Sequence, residues 1–155
     1  MKTILLAGII GFTFGCSNAQ KSNDTNVPEA VKTAFGKKYR EVKKVSWEAE
    51  GKTYEAEFTM NKVEYSAVFD GAGVFQEEET EINVSALPTT IVDYCTKTYA
   101  DHKISEAAKI TNANGTISYE AEMSKGKVHF DVIFDANGNF VSKGEPASED
   151  DEDED

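Results

Sequence analysis

The chain has 155 residues, 28 acidic side chains against 16 basic ones, a formal charge of −12 and two cysteines. Such an acidic balance argues against nucleic acid and against an anionic lipid surface as partners. With one of the two cysteines in the leader, no disulfide framework is expected in the folded part, so stability must rest on a hydrophobic core.

Lys2 followed by the uncharged apolar run from Ile4 to Phe14 reads as a secretion leader, too short to span a bilayer stably. Two processing sites compete. Cleavage after Ala19 makes residues 1–19 a signal peptide, whereas the stretch Thr13-Phe14-Gly15-Cys16 ends the signal at residue 15 and leaves Cys16 as a lipidation site. Either route predicts a periplasmic or cell-envelope protein, secreted or held as an outer-membrane lipoprotein, with membrane contact only through that anchor. Residues 20–26 read as a polar linker.

Residues 27–82 and 83–145 repeat one unit. Val27-Pro28-Glu29 and Leu87-Pro88-Thr89 each open a predicted helix, where proline suits the first turn. Apolar residues then recur every four positions, at Val27, Val31, Phe35 and Tyr39 and again at Leu87, Ile91, Cys95 and Tyr99, so each helix has one face to bury. Gly36 predicts that the first helix is short or frayed.

After each helix the period changes to two. Tyr54-Glu55-Ala56-Glu57-Phe58 returns as Tyr119-Glu120-Ala121-Glu122-Met123, and the stretch Val68 to Phe75 returns as Ile133 to Phe140. Tyr65, Ala67 and Phe69 alternate with polar residues in the first copy, as Phe130, Val132 and Phe134 do in the second, the pattern of half-buried antiparallel strands. Glycine- and asparagine-rich turns separate them. Further strands are predicted over 42–49, 74–79, 107–112 and 140–143. Five extra residues of the second copy fall near 105–117 and predict a divergent loop there. The fold class is therefore α+β: two helix-plus-four-strand repeats forming one eight-stranded antiparallel sheet, with both helices on one face and the other face open to solvent.

Residues 146–155 end in seven consecutive carboxylates, Glu149 to Asp155, and read as a disordered acidic tail. Without those seven the chain's charge falls from −12 to −5, so the folded body is only mildly acidic.

No side-chain set supports catalysis. Cys95 takes the helix position of Phe35 and reads as a buried structural thiol, and His102 and His129 read as solvated with no zinc spacing around them. No metal ligand set and no cofactor are expected. Asp135-Ala136-Asn137-Gly138-Asn139 shares the opening of a calcium loop but lacks its terminal glutamate, and its match to Asp70-Gly71-Ala72-Gly73 predicts a hairpin turn. Glu55 and Glu57, with Glu120 and Glu122, share one strand face, either as a solvated polar surface or as an acidic strip for cations or a basic partner. Trp47 has no aromatic counterpart in the second copy and is a candidate contact residue as well as a core residue. The cluster Lys37, Lys38, Arg40, Lys43 and Lys44 is unmatched too and suits an acidic partner or the tail.

The block from Trp47 through Tyr54-Glu55-Ala56-Glu57-Phe58 and Tyr65 to Phe69, closing on Asp70-Gly71-Ala72-Gly73, resembles the PepSY-like, beta-lactamase-inhibitor-like family, and it does so twice. The resemblance implies tandem half-domains like those of the beta-lactamase inhibitory protein, whose concave sheet embraces its target. It assigns no inhibitory residue to this chain. The resulting expectation is a monomeric envelope protein, not an enzyme, that binds a protein or peptide on its open sheet through Trp47, Glu55, Glu57, Glu120 and Glu122. The alternative is an envelope protein that binds divalent cations weakly through the acidic strip and tail.

Overall fold

The computed structural model describes residues 26–148. The expected leader with Cys16, and the acidic run from Glu149 on, lie outside the described residues. Two ten-residue helices, α1 (Glu29–Lys38) and α2 (Thr89–Thr98), each precede four strands: β1 (Ser46–Glu50), β2 (Thr53–Met60), β3 (Val63–Asp70) and β4 (Phe75–Glu81), then β5 (Lys103–Asn112), β6 (Ile117–Lys125), β7 (Val128–Asp135) and β8 (Phe140–Lys143). Pro28 and Pro88 begin the helices with φ of −58° and −52°. Their carbonyls accept from Val31 and Lys32 and from Ile91 and Val92, closing each first turn where proline has no N–H to lose. Gly36 does not shorten α1, which equals α2 in length, because tertiary packing of Val31 and Phe35 outweighs one exposed glycine.

The strands pair in sequence order from β1 to β8, every neighbour antiparallel, and β9 (Ala147–Ser148) adds beside β7 opposite Val128 and His129. The expected tail therefore begins as strand, since Pro146 is followed by two residues that the free edge of β7 can pair. Other boundaries shift as well. The first strand begins at Ser46, not at 42, while the fifth begins at Lys103, not at 107. The five extra residues of the second copy thus lengthen β5, which pairs on both sides, whereas β1 lies at the sheet edge.

The register places both helices on one face. Under α1 lie Trp47, Ala56, Phe58, Ala67 and Phe69 with Val27, Val31, Phe35 and Tyr39; under α2 lie Ala107, Ala121, Met123, Phe130, Val132 and Phe134 with Leu87, Ile91 and Cys95. Phe35 sits at the centre of the first cluster, its ring 5.2 to 5.3 Å from those of Trp47 and Phe58 in edge arrangements. Each copy closes its third hairpin with the same device. Asp70 Oδ1 accepts from the N–H groups of Ala72 and Val74, as Asp135 Oδ1 does from those of Asn137 and Asn139. Gly73 (φ +81°) then brings the turn against α1, where a Cβ would stand 2.5 Å from the Ala30 carbonyl oxygen. At Gly138 (φ +80°) a Cβ would instead meet the Thr90 side chain of α2. These are hairpin turns, as the sequence predicts.

Candidate functional site

Among the described residues the opposite face carries no helix, yet its centre is not open water. Strand alternation puts Glu55, Ser66, Ala108, Glu120, Asp131 and Ile133 there, and all six are buried. With no covering element among the described residues, such burial fits a sheet that curls with this side inward. A flat sheet would hold Glu55 on β2 and Glu120 on β6 roughly 19 Å apart at about 4.8 Å per strand. The charge of Glu55 nonetheless acts on Glu120, and that of Asp131 on Glu79 three strands away. Bulges supply the bend: Gln76 in β4 and Val141 in β8 are extra residues at equivalent places, and Ser105 is extra in β5. The last has no counterpart in the first copy, and its hydroxyl donates to Glu122 Oε1 at 2.5 Å.

The basin so formed is acidic from end to end. Glu48 on β1, Glu55 and Glu57 on β2, Glu64 on β3, Glu77, Glu79 and Glu81 on β4, Glu106 on β5, Glu120 and Glu122 on β6 and Asp131 on β7 all share this face by register. Among the described strand residues the same register brings one lysine, Lys103, to the rim and no arginine. Burial, and then neighbouring carboxylates, raise five of these groups above the ordinary range. Glu79 is pushed up to about 7 by burial, with Asp131 and Glu77 adding to it. Glu106 is pushed up to about 7 by burial and then by Glu122 and Glu81. Glu120 rises well above its usual value through burial, then Glu79, Asp131, Glu122 and Glu55. Glu57 is raised by burial and then by Glu48 and Glu64, and Glu77 by burial.

The structure brings four of the five expected contact residues together: Glu55 and Glu120 buried, Glu57 and Glu122 half-buried, all on the basin face. Trp47 is corrected. It is 4 % exposed beneath α1, on the other side of the sheet, because its strand parity pairs it with Ala56 and it fills the space beside Phe35. The histidines are less solvated than expected. His129 reaches the basin with Nε2 enclosed and without a hydrogen-bond partner, and His102 packs edge-on against Phe130 at 5.2 Å. Cys95 is fully buried, and burial pushes its thiol up to about 11. Of the basic cluster, Lys38 lies over the Phe75 ring at 4.2 Å and 3.7 Å from Glu78, to which the Tyr39 hydroxyl also donates. Sequence reasoning passed over Glu79, Glu106 and Asp131. The signal was present in the alternation Glu77, Glu79, Glu81, which continues the parity of Glu55 and Glu57 across β3.

Among the described residues no group of three His, Cys, Asp or Glu side chains is arranged to hold a metal ion.

This architecture has counterparts. The family model "Putative beta-lactamase-inhibitor-like, PepSY-like" matches residues 17–64 and 52–142, two overlapping segments that together span both copies of the repeat. The chain belongs to this family. Among solved structures, the PepSY-like chain is similar to a DUF2874 family protein from Bacteroides uniformis, with a TM-score of 0.65 at 18% identity, 75% of this chain and 87% of that one being covered. It is similar to a protein from Bacteroides eggerthii described as periplasmic, with a TM-score of 0.68 at 14% identity over 79% and 90% of the two chains. A BLIP-like protein from Bacteroides fragilis follows at 0.59, with 19% identity over 78% and 87%. At these identities the likeness is one of fold. No curated protein matches the chain.

Proposed function

We propose that this PepSY-like protein is a bacterial envelope binding protein that captures a protein or peptide in the concave, helix-free basin and performs no catalysis. The observation that carries this reading is the convergence of carboxylates from β1 to β7 on a curled face that no element of the described fold covers. A polar face that is merely solvated would leave such groups exposed, each with its own water. Among the described residues the one cysteine, Cys95, lies deep under α2 with its thiol held neutral, which favours binding over thiol chemistry. The envelope location rests on the leader read at residues 1–19, and it agrees with the periplasmic description of the B. eggerthii relative. Processing at Cys16 would add a lipid anchor.

The test is affinity capture from a bacterial envelope extract with the mature chain and with Glu57→Lys/Glu122→Lys, whose side chains are half-buried on the basin face. The expected result is a polypeptide retained by the wild type and released by the double variant, with the variant's melting temperature within a few degrees. Equal retention by both would overturn the basin as the binding face.

A further inference from the structure

The proposed binding face contains acceptors that the protein itself leaves unused. Glu79 Oε1 and Glu106 Oε2 are fully enclosed and have no hydrogen-bond partner. Glu120 is 6 % exposed, and the side chains that act on its charge are all carboxylates. An unpaired buried acceptor is costly, more so when it is charged, so an arrangement with several such groups on adjacent strands favours any occupant that supplies donors and positive charge. Among the described strand residues this face has few donors of its own: Lys103 at the rim, His129, and the Ser105 hydroxyl, which goes to Glu122.

Resting on the reading above, we propose that the basin recognises a basic segment of polypeptide and seats the side chain of an arginine or lysine between Glu79 and Glu120, with Glu106 further along the face for a second cation. A guanidinium carries five N–H donors in a planar fork and stays charged at any physiological pH, so it can serve Glu79 and Glu120 at once. A bare divalent ion suits the site less, because the acidic groups are spread over neighbouring strands and do not form a compact ligand set among the described residues. The spread instead matches a row of cations along an extended chain, whose same-side residues are about 6.6 Å apart.

The experiment is fluorescence anisotropy of a fluorescein-labelled hexa-arginine peptide at 150 mM salt, with labelled hexaglutamate as control and calcium chloride as competitor. Saturable binding is expected for the wild type, with at least a tenfold loss in Glu79→Gln/Glu120→Gln. Glu29→Gln/Asp93→Asn, which removes the same charge from exposed positions on the two helices across the sheet, should change affinity less than twofold. Thermal melts accompany each variant, and the Glu79/Glu120 variant is expected to melt no lower than the wild type, because it loses repulsion. Equal weakening by both double variants would mean only long-range attraction, and it would overturn the site. So would an absence of saturable binding, or displacement of the peptide by sub-millimolar calcium. If hexa-arginine fails while the captured polypeptide is still released by Glu57→Lys/Glu122→Lys, the binding face stands and only the chemistry of its occupant is wrong.

Discussion

The two faces of this sheet are made from the same strands by simple alternation, yet they are opposites in energy. Under the helices, Phe58, Phe69, Met123, Phe130 and Phe134 leave water with no polar group to satisfy, and each contributes to stability. On the opposite face, the alternating partners Glu79, Glu106 and Glu120 are withdrawn from water beside like charges, and each subtracts from it. The difference teaches that the helix face holds the fold while the basin is retained at a cost in stability. Polar groups kept on such terms cluster at functional sites.

The comparison breaks most visibly where the core is cut. Phe58 and Met123 are equivalent positions in the two copies, both buried beneath a helix. Phe58→Ala and Met123→Ala should each lower the unfolding free energy by roughly 2–5 kcal/mol in urea titrations. A loss below 1 kcal/mol at either position would mean that the sheet does not depend on that half of the core.

Next in size is the contact between turn and helix. Gly73→Ala forces a side chain into a left-handed conformation and against the Ala30 carbonyl, and it should cost about 2 kcal/mol. Gly51 has φ of +60° but open space around it, so Gly51→Ala should cost about half as much. Equal costs would show that the φ angle, and not the approach to α1, decides the position.

The basin face should reveal itself through pH. The folded values near 7 for Glu79 and Glu106, and the raised value of Glu120, lie above a carboxyl's ordinary 4.5. The folded chain therefore binds more protons than the unfolded one between about pH 4.5 and 7. Their contribution to stability is fully present below pH 4.5 and is lost as pH rises through 7. The melting temperature should fall by roughly 5 °C between pH 5 and 8. Glu120→Gln should flatten that slope and raise the melting temperature at pH 8, the reverse of what a core truncation does. A slope that rises with pH, or a Glu120→Gln chain less stable at pH 8, would contradict the repulsion inferred for this face.

Much of this was legible in the residues. Period-four and period-two patterns, repeated, placed the helices, eight strands and the core face, because burial of one face imposes its period on the sequence. The equal offset of Asp70 and Asp135 identified the paired turns. Trp47 was legible in kind but not in side: an unmatched aromatic reads equally as anchor or core, and only the pairing with Ala56 decides it. The curl was not legible. Bulges at Gln76, Ser105 and Val141 are set by pairing between strands, and local sequence carries no sign of them. For that reason Glu79 and Glu106 read as ordinary solvated strand residues, although the curl encloses one carboxylate oxygen of each.

The smallest effect expected is the one that locates the basin's boundary. Glu48 shares the face and parity of Glu55 and Glu57 and adds to the repulsion on Glu57, but it stands exposed on the edge strand β1. Water screens a charge so placed, and an exposed substitution of this kind usually changes stability by less than about 0.5 kcal/mol. Glu48→Gln should therefore leave both the urea midpoint and the slope of melting temperature with pH where they are, while Glu120→Gln moves both. Both remove one carboxylate from the same side of the same sheet, so net charge cannot explain a difference between them. An effect of Glu48→Gln as large as that of Glu120→Gln would mean that the acidic face acts as one diffuse field. An effect confined to Glu120 would place the site in the enclosed centre, where Glu79 of β4 and Asp131 of β7 act on Glu120.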